Sequence, residues 1–380
     1  MLMLKHLAHS ARAVRLLLVL AIIMYLCAPL RGPPEQCLCW SNGGLDADIL
    51  DDALKEFGAS PPTSEDSPWA LFHALIGTGG DLPIVGGKTV LDWLLEETSW
   101  TSHPDAAVSP LIQCNENDVI FRSGEAFGAG SIVEGHFGQG LYAIVCAAGV
   151  DPSTQLVRVP PDGDRVPLAA MVRTLEWRAH SGAELSYAVP VFLVAGRTTW
   201  TNRFGESMSL DGVVQSLMHS EKTEVACFGT HWRIALAWAD AAPSRVRLSA
   251  KTQRRVRTEL DRELAEIRSV QGGDGMFNLS AVNQQGSSPA IGLEESVAFQ
   301  AHSLEWIVVA IPGGSDHEWV DRAMAALIHH QKAGGERLSY GTRCHAARAI
   351  RLYRDRLCAE GKHASDPSHH RSTTDIAAPE

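Results

Sequence analysis

The chain has 380 residues, of which 45% are hydrophobic and 20% charged, the composition of a globular protein large enough to bury a substantial core. Its 33 basic residues are outnumbered by 44 acidic ones, and the formal net charge is −11. This balance argues against a nucleic-acid partner, because nucleic-acid-binding proteins normally present a basic face. The dense basic run at 251–257 continues into acidic residues, so it is predicted to be the solvated face of an amphipathic helix.

The N-terminus carries a targeting pattern. Lys5, Arg12 and Arg15 precede an uncharged apolar run at 16–30. A basic region followed by a short apolar region is typical of a signal peptide or signal anchor, and an anchor is slightly favoured because no clear cleavage site follows. We therefore expect residues 1–30 to lie in the membrane and the main domain to be extracytoplasmic, or secreted or periplasmic if the signal is cleaved.

Composition divides the rest of the chain into three parts. Residues 31–66 are rich in Pro, Gly, Ser and Asp, and are predicted to be a flexible linker with one short helix at 46–57. Residues 361–380 are polar and are predicted to be a disordered tail. The folded domain is therefore expected at 67–360.

Helical spacing of apolar residues predicts a series of helices in this domain. Ser67, followed by Pro68, and Ser209 are the expected N-caps of two of them. The predicted helices cover 69–76, 88–97, 140–148, 167–177, 180–195, 209–219, 231–241, 248–270, 304–310, 318–332 and 340–357. No segment alternates apolar and polar residues clearly enough to predict a strand.

Histidines recur near the predicted starts of these helices, at intervals of roughly 40 to 70 residues. They are His136, His180, His231, His302 and His345, with His73 as a weaker sixth member. The spacing fits one helix pair per interval. Equivalent ends of the inner helices would then line a common cavity.

One short motif narrows the fold. Gln271-Gly-Gly-Asp274-Gly275-Met-Phe277 follows the predicted helix at 248–270. The glutamine can bind free backbone groups at a helix end, Asp-Gly favours a tight turn, and the aromatic ring can pack on the outer helix. This pattern resembles the repeat signature of the terpenoid-cyclase and protein-prenyltransferase toroids, and the helix starts resemble a group of secreted bacterial proteins built on that toroid. Over residues 65–360, the resemblance implies an all-α fold, an α/α toroid of up to six helical hairpins.

The catalytic motifs of those families do not carry over. The acidic run at 46–52 lies in the predicted linker and has the wrong spacing for the Asp-x-Asp-Asp of the cyclases. The Asp-x-Cys pair that holds zinc in the prenyltransferases does not occur in this sequence. The resemblance therefore indicates a fold and leaves the activity open.

The best candidates for catalysis are His231, His302 and Glu305. His302 and Glu305 are three residues apart, and His180 and Glu184 are four apart, so each pair shares a helix face. Imidazole and carboxylate groups can bind a divalent metal or transfer protons. The remaining residues expected to line the cavity are His136, His180, Glu184, Trp232, Trp306 and His345.

The same residues could instead have purely structural roles. Each histidine could cap a helix, the tryptophans could be helix-helix core, and Cys146 and Cys227 are expected to be buried free cysteines. The favoured hypothesis is a membrane-anchored toroid whose cavity binds an apolar or carbohydrate ligand. The alternatives are a metal-assisted or acid/base enzyme (a transferase, lyase or hydrolase) acting on a lipid-like or polysaccharide substrate, and a non-catalytic interaction scaffold. The sequence does not decide whether the protein is an enzyme.

Overall fold

The computed structural model describes most of the predicted folded domain and several of its loops. The described residues are 45, 47–58, 61–63, 67–84, 87–96, 99–100, 109–110, 112–114, 118–121, 136–159, 163–219, 226–241, 246, 248–279, 292–313 and 317–360. The signal or anchor predicted at 1–30 and the tail predicted at 361–380 lie outside them. Within the described part of the chain, no helix is both long enough and apolar enough to cross a membrane.

Helices dominate the structure, as the sequence predicts. They are α1 (Ala47–Gly58), α2 (Pro68–Thr78), α3 (Val90–Glu96), α4 (Gln139–Leu141), α5 (Leu168–Arg178), α6 (Ala188–Val194), α7 (Leu210–His219), α8 (His231–Ala241), α9 (Ala250–Ser269), α10 (Leu293–Ala310), α11 (Glu318–Gly334) and α12 (Tyr340–Ala359). α4 runs directly into a π-helical turn, Tyr142–Ala147, and short 3-10 turns occupy Ala226–Gly229 and Gly335–Arg337. Both predicted caps are confirmed: the Ser67 hydroxyl accepts the N–H of Ala70, and the Ser209 hydroxyl accepts the N–H of Gly212.

Six of these segments contact one another in a closed cycle. α2 contacts the π-helical turn, which contacts α6; α6 contacts α8, α8 contacts α10, α10 contacts α12, and α12 returns to α2. Other long helices lie outside this cycle, with α9 against α8, α11 against α10 and α1 against α12. The cycle brings segments that are far apart in sequence into one core, in which Leu71, Leu304 and Ile350 are fully buried.

The prediction that the chain has no strands is wrong. Four two-stranded antiparallel pairs connect the helices: β1 (Ser99–Trp100) with β2 (Ser109–Pro110), β3 (Ile112–Cys114) with β4 (Val119–Phe121), β5 (Leu156–Val159) with β6 (Asp164–Pro167), and β7 (Thr199–Thr201) with β8 (Ser207–Ser209). In β5 exposed and buried residues alternate over only four positions, and one exposed position is Leu156. Strands this short do not produce a period of two that stands out from the surrounding sequence.

Two of the predicted helix starts are also wrong. His180 lies after the end of α5, and α6 begins only at Ala188, because 180–187 form turns around Gly182. His302 lies in the middle of α10, which begins at Leu293 and not at Leu304. By contrast, His231 begins α8 as predicted.

The short helix α1 is present, but the prediction that it belongs to a flexible linker is wrong. Leu50 is fully buried, and Ala53 and Phe57 are buried as well. α1 contacts α12, and Asp51 forms an ion pair with Arg354 at 3.1 Å. The helix therefore belongs to the folded body.

The turn after α9 forms as its motif predicts. The side-chain amide of Gln271 donates hydrogen bonds to the carbonyls of Gly275 (3.1 Å) and Trp319 (2.8 Å). Asp274 accepts the N–H of Met276, and Gly275 has φ +89°. The Phe277 ring lies 6.2 Å from that of Trp319 on α11. The motif thus joins the end of α9 to the next outer helix.

Candidate metal centre

Five of the six recurring histidines converge on one cluster inside the cycle. They are His73 on α2, His136 before α4, His231 on α8, His302 on α10 and His345 on α12. Their rings form a chain of contacts, with centroids 4.3 Å apart for His136–His231, 5.6 Å for His231–His302, 3.7 Å for His302–His345 and 5.2 Å for His345–His73.

The first part of the cluster, here called the thiolate half, consists of His136, Glu184, Cys227 and His231. The Nδ1 atoms of His136 and His231 lie 2.9 and 3.2 Å from the two oxygens of Glu184. Because a carboxylate only accepts hydrogen bonds, Nδ1 of each histidine carries the hydrogen of this contact. Nε2 of each ring is then the nitrogen that does not contact Glu184. The Cys227 sulfur lies 3.8 Å from Nε2 of His136. One carboxylate therefore holds two imidazoles around one thiol.

An unusual turn places the thiol. Cys227, Phe228 and Gly229 all have positive φ, at 50°, 59° and 62°. The left-handed region disfavours ordinary residues by about 1–2 kcal/mol each, so two non-glycine residues in succession are strained. Thr230 secures the turn, since its N–H and hydroxyl both donate to the Cys227 carbonyl, at 3.2 and 2.7 Å. α8 begins immediately afterwards, which brings Cys227 and His231 to the same point.

The second part, here called the buried half, consists of His73, His302, Glu305 and His345. Glu305 receives a hydrogen bond from Nδ1 of His345 at 2.9 Å, whereas Nδ1 of His302 lies 3.7 Å from its other oxygen, beyond hydrogen-bonding distance. Nδ1 of His73 donates to the Trp69 carbonyl at 2.7 Å. All four residues are about 4% exposed.

Two tyrosines lie beside the cluster, one in the π-helical turn and one just before α6. Tyr142, at the start of that turn, has its ring 5.0 Å from that of Tyr187, and its hydroxyl accepts a hydrogen bond from Arg348 at 3.0 Å. The Tyr187 ring lies 5.5 Å from His136 and 4.8 Å from His231. Single π-helical turns within helices are frequent at functional sites, because the extra residue redirects side chains.

The electrostatics of the thiolate half favour a thiolate beside an imidazolium. Burial alone would raise the pKa of the Cys227 thiol, but His302, His136 and His231 lower it far below its ordinary value. Burial would likewise lower the pKa of His136, yet hydrogen bonds to Cys227 and Glu184 raise it to about 10. For Glu184, burial is outweighed by the two histidines, which lower its pKa to about 2.

In the buried half the imidazoles differ from one another. Burial, followed by the charge of the neighbouring His345, lowers the pKa of His73 to about 3. Burial also lowers the pKa of His345, followed by the charge of His302. Burial would lower the pKa of His302, but the charge of Cys227, the interaction with its thiol and the nearby Glu305 carboxylate outweigh burial and raise the pKa to about 9. Glu305 stays ionised, since His345 and His302 hold its pKa well below the usual range despite burial.

The donor set of the thiolate half fits a transition metal. The ligand atoms of His136, Cys227 and His231 all lie within 4.8 Å of one another. In a tetrahedral zinc site, with metal–sulfur about 2.3 Å and metal–nitrogen about 2.0–2.1 Å, sulfur and nitrogen are about 3.5 Å apart. The observed 3.8 Å is close to that separation. Nε2 of His231 is buried and has no hydrogen-bond partner among the described residues, which suits a ligand.

Glu184 provides the second contact that metal-binding histidines usually make. Histidines that bind metals usually donate their other ring N–H to a carboxylate, carbonyl or water, which fixes the ring and raises its basicity. Glu184 does this for both histidines of the thiolate half. The side chain of Glu184 is 27% exposed, so this half of the cluster borders solvent.

The structure separates the predicted site residues into two groups. It brings together His231, His302, Glu305, His136, Glu184 and His345. It does not bring His180 to them: its ring is half-buried, accepts the N–H of Gly182 and lies 5.3 Å from Phe204 in a surface turn. The expectation that His180 lines the cavity with Glu184 is wrong, because both residues lie in turns and not on one helix.

The two tryptophans lie toward α9. The Trp232 ring is 4.7 Å from the guanidinium of Arg233, and Trp306 is 6.0 Å from the same group. Arg233 in turn binds the buried Glu263 of α9 at 2.7 Å. The indoles thus contact a cation in the packing between α8, α9 and α10.

Sequence reasoning missed Cys227. It predicted a buried free cysteine, whereas the free thiol is half-buried and lies 3.8 Å from Nε2 of His136. The signal in the sequence was the position of Cys227, four residues before His231 and just before the start of α8. Helix capping does not explain the converging histidines either, because in four of the five Nδ1 faces a carboxylate.

Comparisons with protein-family models, with curated proteins and with solved structures each found no match for this chain.

Proposed function

We propose that this protein is a metal-dependent enzyme whose zinc or similar divalent ion is bound by Cys227, His136 and His231. The observation that carries the proposal is Glu184, which orients both imidazoles and leaves their Nε2 atoms beside the thiol. A purely structural role would not require one carboxylate to fix two histidines around a cysteine in a strained turn. Three protein ligands with a reachable fourth position are the pattern of catalytic zinc sites.

A bound ion would lower the pKa of a water molecule or polarise a carbonyl oxygen of the substrate. The chain would supply the surroundings. Burial, followed by the charge of Cys227, raises the pKa of Tyr187 well above its ordinary value, so the phenol stays protonated at neutral pH. We propose that Tyr187 donates a hydrogen bond to negative charge that develops on the substrate. The reaction class is hydrolysis, or addition or elimination of water.

We propose an apolar or carbohydrate substrate. Phe137 and Phe228 are half-buried and directly follow the ligands His136 and Cys227 in sequence. Aromatic side chains at the accessible edge of a polar site favour apolar chains and sugar rings. Non-catalytic binding of the same molecules, and a scaffold role, stand as the other proposals for this cavity.

We also propose that the closed cycle of helices is the inner ring of an α/α toroid. The support is the order of contacts from α2 through α12 and back to α2, with α9, α11 and α1 outside. The Gln271–Phe277 turn, which joins α9 to α11, supports the same arrangement. Membrane anchoring through 1–30 and an extracytoplasmic location remain proposals from the sequence.

A second function is favoured by one specific geometry. Cys227, His136 and Glu184 are arranged as nucleophile, base and orienting group, with separations of 3.8 and 2.9 Å. In that mechanism the thiolate attacks an acyl carbon, the bond to the leaving group breaks, and the His136 imidazolium donates its proton to that group. Water then hydrolyses the thioester and restores the thiolate.

The test is metal analysis of the full-length chain, purified without a histidine tag, before and after dialysis against a strong chelator, with turnover of activated ester probes followed in parallel. The metal proposal predicts bound zinc, loss of turnover on chelation and recovery on adding Zn²⁺. Turnover that survives chelation and disappears after stoichiometric alkylation of Cys227 by iodoacetamide would reject it in favour of the cysteine mechanism.

A further inference from the structure

The buried half contains a second set of metal-ligating atoms that the proposed catalytic ion does not use. His302, Glu305 and His345 each offer one ligand atom, and these atoms lie within 4.8 Å of one another. They come from two inner helices, α10 and α12, that contact each other along the cycle. All three side chains are between 3% and 5% exposed.

One atom in this set has no satisfactory role without a further ligand. Nδ1 of His302 is buried and has no hydrogen-bond partner among the described residues. Its nearest carboxylate oxygen, on Glu305, is 3.7 Å away, which exceeds hydrogen-bonding distance but is close to the separation of two ligands on one tetrahedral ion. A buried polar nitrogen left without a partner is unfavourable, so native structures rarely keep one.

His302 also faces the other half of the cluster. Its ring interacts with the Cys227 thiol, and its centroid lies 5.6 Å from that of His231. One imidazole therefore stands between the two groups of ligands, with Nδ1 directed to Glu305.

The neighbouring residues leave these ligands available. The buried guanidinium of Arg348 donates to the Tyr142 hydroxyl and the Ile76 carbonyl. His73 donates its own Nδ1–H to Trp69 and meets the Gln139 amide with Nε2 at 3.3 Å. These residues surround the second ligand group and are engaged with partners of their own.

We infer that the centre holds two divalent ions, the second bound by His302 Nδ1, Glu305 and His345, with the His302 ring lying between it and the first. This inference rests on the proposed function for the first ion. Because the second group is enclosed, its ion would be structural and electrostatic, fixing His302 and adding positive charge behind the accessible ion. The substrate would contact only the first.

The test is native mass spectrometry of the full-length chain after loading with Zn²⁺, compared with the mass under denaturing conditions. The variants are His345→Gln for the second site and Cys227→Ser for the first. His73→Gln is the matched control, because His73 is equally buried in the same cluster but lies outside both ligand groups. Circular dichroism confirms that each variant is folded.

The expected masses are two Zn²⁺ per chain for the wild type and for His73→Gln, and one for each of the other variants. A single Zn²⁺ in both the wild type and His345→Gln, lost in Cys227→Ser, overturns the second site and leaves the first intact. Two ions retained in His345→Gln also overturns it. A wild type that binds only one Zn²⁺, which Cys227→Ser also retains, would reject the first site, and with it the proposed function.

Titration with Co²⁺ provides an independent readout if a variant fails to fold. The ion at Cys227 gives a sulfur-to-cobalt charge-transfer band, and the second ion adds ligand-field absorption without increasing that band. A wild-type titration in which both absorptions stop rising at one equivalent overturns the inference.

Discussion

The two halves of the cluster arrange a glutamate and two histidines in the same way but differ in solvent exposure. In each half a glutamate faces Nδ1 of two histidines: Glu184 faces His136 and His231, and Glu305 faces His345 and His302. The Glu184 side chain is 27% exposed, whereas that of Glu305 is 3% exposed.

The difference bears on the function proposed for each half. The thiolate half borders solvent and contains the half-buried thiol of Cys227. The buried half is almost fully enclosed, and we propose that it supports the geometry of its neighbour. The comparison predicts that changes in the thiolate half mainly affect metal binding, and that changes in the buried half also affect folding stability.

The largest effect is expected from Cys227→Ser. A hydroxyl is a poor substitute for a thiolate ligand, and loss of a residue that merely orients a ligand already lowers metal affinity by about 10–100-fold. We therefore expect a loss of zinc affinity of more than about 100-fold, measured by competition with a chromophoric chelator. Cys358→Ser, which changes a half-buried cysteine at the end of α12, should bind zinc normally. Equal affinity in the two variants would contradict the assignment.

The pH dependence of metal binding should be nearly as large. The pKa of His136 is raised to about 10, so at neutral pH the metal must displace its proton. The affinity should therefore rise with pH, by about tenfold per pH unit for each proton released, and this rise should continue above pH 7. Calorimetric titrations in buffers of different ionisation enthalpy count the protons. An affinity that is constant from pH 6 to 8 would rule out His136 as a ligand.

Glu184→Gln should separate orientation from ligation. The neutral glutamine amide has only one oxygen that accepts hydrogen bonds, so it cannot orient both imidazoles as the carboxylate does. Zinc affinity should therefore fall by about 10–100-fold. The rise of affinity with pH should flatten as well, because the pKa of His136 loses one of its raising influences. Glu56→Gln is the control, since Glu56 lies on the exposed face of α1 and forms an ion pair with Lys332, at 3.7 Å. A Glu184 variant that matches this control would show that the carboxylate has no role in metal binding.

Glu305→Gln should distinguish the buried half by its effect on stability. Removing one charge from a buried pair destabilises a protein by about 3–5 kcal/mol, which urea unfolding of the metal-free protein at pH 7 can measure. The pKa of Glu305 is held well below its ordinary value, so its contribution is present above the unfolded pKa of about 4.3 and is lost as pH falls toward the folded pKa. The difference from wild type should therefore shrink in acid. Under the same conditions the half-exposed Glu184 should contribute less stability.

The smallest effects concern two turns that require positive φ. Gly229→Ala, at φ 62°, should reduce stability by about 1–2 kcal/mol and also weaken zinc binding, because the turn places Cys227. Gly275→Ala is the matched control, at φ 89° and with a Cβ that would lie 2.5 Å from the Arg322 carbonyl oxygen. It should lower stability at least as much and leave zinc affinity unchanged. Weakened binding in both variants would mean that general destabilisation is responsible.

Much of the helical framework could be predicted from sequence. Ser67 and Ser209 act as caps because their hydroxyls accept backbone N–H groups locally, and the Gln271–Phe277 turn depends on residues within seven positions. The strands could not be predicted, since each has at most four residues. The start of α10 was missed because Glu294, Glu295, Ser296 and Gln300 interrupt the apolar residues that precede Leu304.

The candidate site was only partly predictable for a related reason. The recurrence of His136, His231, His302 and His345 indicated convergence, and the structure places their rings in one chain of contacts. The role of Cys227 depends on a left-handed turn, which sequence propensities do not reveal at a Cys-Phe pair. The pairing of Glu184 with two histidines 47 and 48 residues away is a tertiary fact that no local pattern encodes.

The most direct test is X-ray absorption at the zinc edge on the full-length, zinc-loaded protein. The account predicts one sulfur ligand at about 2.3 Å and imidazole nitrogens at about 2.0–2.1 Å, with the sulfur contribution absent in Cys227→Ser. A bound zinc with only nitrogen and oxygen ligands in the wild type would contradict the assignment of Cys227, and failure to retain zinc at all would contradict the metal centre.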